Sequence, residues 1–223
     1  MAKNNQQEAQ QEQVATTVSG VEEFFKKNQK VIEWVLIAVI VVVLGILAYN
    51  RWVLTPARQE AQAQMFPAEK QFREGNFEAA LNGDGNILGF NQVIDQYGAK
   101  GGKSVYFYAG ICNLQLGNYQ EALDLLKKYN TKDKVMTGRK YCAMGDACSN
   151  LRDYAAALGW YKKAIAAEDN ILAAGYLLKA GIVSEEMGDP DGALKFYKEI
   201  ETKYPQTLEG YDIQKYISRI ENK

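Results

Sequence analysis

A turn signature recurs along the chain at intervals of about 35 residues: Leu116-Gly117-Asn118-Tyr119-Gln120-Glu121-Ala122, Leu151-Arg152-Asp153-Tyr154-Ala155-Ala156-Ala157 and Met187-Gly188-Asp189-Pro190-Asp191-Gly192-Ala193. In each copy an apolar residue closes one helix, Gly or a polar pair makes the turn, and a small Ala lets the next helix pack closely. Upstream of each turn an aromatic or Leu stands four residues before a glycine: Tyr106 with Gly110, Tyr141 with Gly145, Leu177 with Gly181. Downstream come Leu126 with Tyr129, Tyr161 with Ala164, and Tyr197 with Ile200, the last followed by Tyr204-Pro205. A period of this size is one supersecondary unit, and a unit so small buries its apolar face only against a neighbour. The expected fold is therefore an all-α solenoid of stacked helix pairs.

The spacing resembles the tetratricopeptide repeat, in three good copies from Lys103 to Pro205. Arg152 stands where that pattern usually has a turn Gly, and Pro190 where it usually has an aromatic. A fourth, degenerate copy precedes them. Gly75-Asn76-Phe77-Glu78-Ala79-Ala80 repeats the turn, an insertion at 81–89 interrupts the second helix, and the helix resumes toward Tyr97. Repeats are expected over 57–205. The stretch 206–223, with Tyr211, Tyr216, Ile217 and Ile220 on one face, reads as a helix capping the last repeat.

Ahead of the repeats lies a run that is apolar from Val31 to Tyr49 except for Glu33, and that reaches Leu54 if Asn50 and Arg51 sit among headgroups. About 20 helical residues span a hydrocarbon core of ~30 Å, so 31–54 reads as a transmembrane helix. Trp34, Tyr49 and Trp52 mark its ends, where amphipathic rings prefer the interface. The run is too long for a signal-peptide core, and Ile46-Leu47-Ala48 is a poor cleavage site, so an uncleaved anchor is expected. Lys26, Lys27 and Lys30 outnumber Arg51 and Arg58 across it, which favours a cytoplasmic N-terminus and a periplasmic repeat domain in a bacterial inner membrane. Residues 1–20, rich in Gln, Asn, Ala and Thr, read as a disordered cytosolic tail. Residues 21–30, with Phe24 and Phe25 beside the lysines, read as a short amphipathic segment at the membrane surface.

Composition removes most chemistry. With 26 Lys plus Arg against 27 Asp plus Glu there is no basic excess for nucleic acid to meet. The chain has no histidine, which excludes His-based general bases, His-paired nucleophiles and His-ligated zinc. Cys142 and Cys148 point to different faces of one helix; Cys112 and Cys148 occupy equivalent repeat positions, where either a cross-repeat disulfide or buried free thiols would fit. Tyr97-Gly98-Ala99-Lys100-Gly101-Gly102-Lys103-Ser104 has the glycines of a phosphate loop but lacks its first Gly and preceding strand, so it reads as an inter-repeat turn. Asn82-Gly83-Asp84-Gly85-Asn86 alternates oxygen side chains as a calcium loop does. Ile87 and Val93 stand where such a loop needs Gly and Glu, so it reads as a glycine-rich bulge. No catalytic residue, cofactor, metal or small-molecule substrate is expected.

The first helices carry a second apolar stripe: Met65 and Phe72, then Phe107, Ile111 and Leu114, then Leu178 and Ile182. In tetratricopeptide solenoids this stripe lines the partner-binding groove, unless a terminal helix or neighbouring repeat covers it. Arg139, Asp146, Ser149 and Asn150 make the third repeat's share of it polar. The order of tail, single anchor and repeats, together with Glu22-Glu23-Phe24-Phe25-Lys26-Lys27-Asn28-Gln29-Lys30, resembles the YfgM family, ancillary subunits of the bacterial Sec translocon. The Gly83–Gly85 insertion departs from that family's enterobacterial form. The resemblance implies a non-enzymatic adaptor beside the Sec translocon, working with a membrane-anchored periplasmic prolyl isomerase chaperone on emerging chains. The alternative is a membrane-anchored scaffold for another cell-envelope assembly, since repeat solenoids are widely reused.

Overall fold

The computed structural model describes residues 27–98, 102–167 and 169–222. The expected tail and most of the juxtamembrane segment, including Phe24, Phe25 and Lys26, lie outside them; Lys27 and Lys30 stand at the start of the first helix. The chain divides after Pro56 into two units.

The first unit is a helix, α1 (27–49), followed by one π-helical turn at Asn50–Leu54. In that turn the Asn50 carbonyl accepts both the Thr55 amide, five residues on, and the Thr55 hydroxyl at 2.8 Å. Trp34, Val39 and Leu44, on three different sides of α1, are all more than half exposed. A helix apolar on every side has nothing within its own unit to bury against. It forms part of the one helix among the described residues that is long and apolar enough to cross a membrane.

The second unit holds α2 (Thr55–Arg73, from Ala57 on), α3 (Phe77–Asn82), α4 (Phe90–Tyr97), α5 (Ser104–Gln115), α6 (Tyr119–Lys128), α7 (Lys134–Asn150), α8 (Tyr154–Ala167), α9 (Leu172–Glu186), α10 (Pro190–Lys203) and α11 (Leu208–Glu221). No strand occurs among the described residues. Helices α5/α6, α7/α8 and α9/α10 are the three repeats, with successive pairs packed against each other and α11 laid on α9 and α10. Each inter-helix turn needs one left-handed residue, supplied by Gly117 at φ 85° and Gly188 at φ 76°. In the middle repeat Arg152 takes that place at φ 62°, a conformation that costs a side-chain-bearing residue about 1 kcal/mol.

The upstream glycines explain why the helices of a pair lie so close. A Cβ on Gly110 would stand 2.8 Å from Leu126 Cγ, on Gly145 2.5 Å from the Tyr161 ring, and on Gly181 2.2 Å from the Tyr197 ring. The large downstream residue thus sits in a notch that only glycine leaves open. Tyr161, Tyr197 and Leu126 are almost fully buried there.

The expected insertion breaks the first repeat's second helix into α3 and α4. Its loop is closed by Gly83 and Gly89, whose backbones approach so tightly that a Cβ on Gly89 would meet Gly83 N at 2.3 Å. The Asp84 carboxylate accepts from the Asn86 and Ile87 amides at 2.9 and 3.1 Å. Those two donors hold its carboxyl below the usual range. Its Oδ1 is engaged in folding the bulge, and among the described residues no three His, Cys, Asp or Glu side chains gather as a metal site would require. Of the phosphate-loop-like stretch, Tyr97 ends α4, Ser104 begins α5, and 99–101 lie outside the described residues.

All three cysteines are buried free thiols, so Cys112 and Cys148 form no bridge. Burial pushes the Cys112 thiol from 9.0 up to about 12 and Cys142 up to about 11. Between pH 9 and those values the folded chain holds protons that the unfolded chain has released, so stability falls as pH rises through that window. We expect the thiols to be inert to a thiol reagent at pH 8 until urea unfolds the chain. The urea midpoint should fall above pH 9, less steeply in Cys112→Ala than in the parent. A thiol that reacts at the same rate with and without urea would contradict the burial.

Candidate functional site

Helices α2, α5, α7 and α9 line a cavity of about 530 Å³. Its apolar wall comes from Phe72 on α2, Phe107, Ile111 and Leu114 on α5, Met136 on α7, and Leu172 and Tyr176 on α9. Phe72 meets Tyr108 edge-on with ring centroids 5.2 Å apart, and Phe107 tilts against Tyr129 at 5.2 Å. These aromatic contacts fix the wall's shape before any partner arrives.

The polar residues of the cavity differ in how far they are already engaged. Glu69 and Arg73, one turn apart on α2, lie 3.8 Å from each other. The Asp146 carboxylate accepts the Tyr161 hydroxyl at 2.8 Å and both its oxygens accept from Lys179 Nζ at 2.7 Å. Burial works against the Lys179 charge, but the Cys142 sulfur and the Asp146 carboxylate more than offset it and raise its pKa. Burial, reinforced by the same carboxylate, pushes the Tyr161 hydroxyl up as well. One repeat further on the arrangement recurs: Tyr197 donates to Glu185 at 2.7 Å, and Arg219 of α11 donates to the same oxygen at 2.5 Å. In both places a second-helix tyrosine, a first-helix carboxylate and a cation from the next element form a chain across the stack. Arg139 lines the cavity with neither a hydrogen bond nor an ion pair among the described residues.

Of the seven stripe residues, the structure brings four together: Phe72, Phe107, Ile111 and Leu114. Met65 does not line the cavity; it is buried in the first repeat's core with Ala68, Phe90 and Val93. Leu178 packs into the C-terminal cluster that contains Ile213 and Ile217. Ile182 lies beside Glu185, Tyr216 and Arg219 at a separate concavity. These two occupy positions equivalent to Phe107 and Ile111, but after the last repeat the next element is α11, which covers one and flanks the other. Met136, Leu172 and Tyr176 fall outside the stripe, because they come from the first two turns of α7 and α9, ahead of the aligned positions. Ser149 and Asn150 are outside the cavity.

Comparison with known proteins agrees with this architecture. The Tetratricopeptide repeat family pattern matches residues 104–133 and 176–207. Among solved structures the chain is similar to the MamA protein, at 20% identity and TM-score 0.57, over 73% of this chain and 82% of that one. A second MamA structure aligns at 20% identity and TM-score 0.53, covering 70% and 92%. PilF of Pseudomonas aeruginosa aligns at 17% identity and TM-score 0.51, covering 70% and 66%. No match was found among curated protein sequences. Two stretches of the chain thus carry the tetratricopeptide repeat pattern, and the chain shares the fold of these solved structures.

Proposed function

We propose that this chain is a membrane-anchored adaptor of the Sec translocon that holds protein partners in the α2–α5–α7–α9 groove. The carrying observation is the cavity itself, walled by apolar side chains from four successive first helices. Such a wall offers buried contact to side chains of a bound segment, as groove recognition needs. The exposed apolar helix α1 is read as the single-pass anchor, with the N-terminus cytoplasmic and the repeats periplasmic on the lysine bias at its start. What supports the translocon in particular is the resemblance of Glu22–Lys30 and of the anchor-plus-repeats order to the YfgM family; the partner on that reading includes a membrane-anchored periplasmic prolyl isomerase chaperone. The role is that of a binding protein and not of an enzyme.

The test is affinity capture of the tagged full-length chain from detergent-solubilised membranes, beside an anchor-only chain and Ile111→Asp. Ile111 is the better probe because Phe107 is only 8% exposed and Phe107→Asp would strike the core. Translocon subunits and a prolyl isomerase should accompany the full-length chain and fall at least severalfold with Ile111→Asp. A different set of envelope proteins would overturn the translocon reading. Capture unchanged by Ile111→Asp would overturn the groove. A reporter fused after Lys223 that reads cytosolic would overturn the orientation.

A further inference from the structure

The charges of the groove are unevenly spent. Asp146 is saturated by Lys179 and Tyr161, and Glu69 has Arg73 as its neighbour. Arg139 makes no hydrogen bond or ion pair among the described residues, and the Tyr108 hydroxyl and the Cys142 thiol both feel its charge. Its position is central. It sits on α7, with Phe107 and Ile111 of α5 on one side and Leu172 and Tyr176 of α9 on the other.

From this we propose, resting on the groove reading above, that the bound segment is an extended peptide of a partner protein carrying one acidic side chain between apolar residues, with the carboxylate seated on Arg139. A guanidinium presents paired donors that match a carboxylate, and apolar walls beside it strengthen the pair by excluding water. A side-chain carboxylate suits the site better than a chain terminus, because the apolar wall continues on both sides of Arg139 and a terminus would leave one side empty. A basic segment suits the site less well, because Asp146 already holds Lys179 and Glu69 faces Arg73 at 3.8 Å. A nucleic acid would need many phosphate partners where the groove offers a single unpaired cation.

The experiment selects random twelve-residue peptides by phage display on the full-length chain in detergent micelles. Selected peptides are then measured against the parent, Arg139→Gln, Arg139→Lys and Ile111→Asp, with helical circular dichroism as the folding control. The expected result is an Asp or Glu flanked on both sides by apolar residues. Changing that acid to its amide should weaken binding about tenfold to the parent and not at all to Arg139→Gln, while Arg139→Lys retains part of the preference. Peptides that lose binding with Ile111→Asp but ignore the acid-to-amide change overturn the acidic preference and leave the groove reading standing. Peptides indifferent to Ile111→Asp, or no selected peptides, overturn both.

Discussion

Ile213→Asp is expected to detach α11 and unravel the last repeat beneath it. Ile213 is 1% exposed and packs in a cluster with Leu177, Tyr197, Ile200 and Ile217. The change removes a buried aliphatic side chain and places a carboxylate among aliphatic and aromatic ones. The first loss alone costs about 2–5 kcal/mol, and burying an unpaired polar group adds a few more. Without α11 the Tyr197–Tyr216 contact at 5.3 Å and the Arg219–Glu185 and Lys198–Glu221 pairs at 2.5 and 2.8 Å are lost with it. In a stack where each pair leans on its neighbours, the damage begins at the end and moves inward. Amide hydrogen exchange should therefore accelerate in α10 and α11 by orders of magnitude while α5–α8 stay protected. Ile213→Val, which keeps most of the volume, should cost only about 1 kcal/mol. Uniform acceleration throughout the repeats would show that the stack unfolds as one body and that the end has no special weakness.

Gly181→Val is the second large effect. The new Cβ would lie 2.2 Å from Tyr197 Cε1, with two further ring atoms within 2.8 Å. The ring has no room to yield: Tyr197 is 0% exposed, its hydroxyl is held by Glu185, and Tyr216 lies against it. Overpacking of this kind costs about 1–3 kcal/mol and more where the clash is with a fixed ring, and a β-branched residue adds its own helix penalty. We expect a loss of about 3 kcal/mol in urea unfolding. Gly159→Ala, in mid-helix of α8 with nothing within 4 Å of the new Cβ, should instead gain about 0.5–1 kcal/mol. Equal stability of Gly181→Val and the parent would mean that the α9/α10 seam is looser than the distances say.

How much of this is legible in the sequence depends on what a repeat encodes. Gly181 and Tyr197 recur at the period, so their meeting is implicit in the spacing, as is the capping role of Ile217 and Tyr216. The groove is half legible. Phe72, Phe107, Ile111 and Leu114 lie together as the stripe implies, because two neighbouring first helices carry large apolar residues at matched positions. Leu178 and Ile182 obey the same alignment yet lie elsewhere, since alignment records position within a repeat and is blind to the capping helix beyond the last one. Met65 cannot be assigned to wall or core by periodicity, as α2 carries apolar residues toward both. Lys179 carries no local signal for its partner, because the carboxylate it holds lies 33 residues away.

The tyrosine–carboxylate–cation chains have a mechanical consequence. They fasten α7 to α9 and α9 to α11, whereas Leu126 replaces the tyrosine in the preceding repeat and no hydrogen bond or ion pair joins α5 to α7 among the described residues. Dispersion contacts slide with little resistance where directional bonds do not. On the groove reading proposed above, α7 and α9 would act as a fixed jaw, and α5, tied to α7 among the described residues only through the Lys140 bond to the Tyr129 carbonyl at the end of its repeat, as the more compliant one.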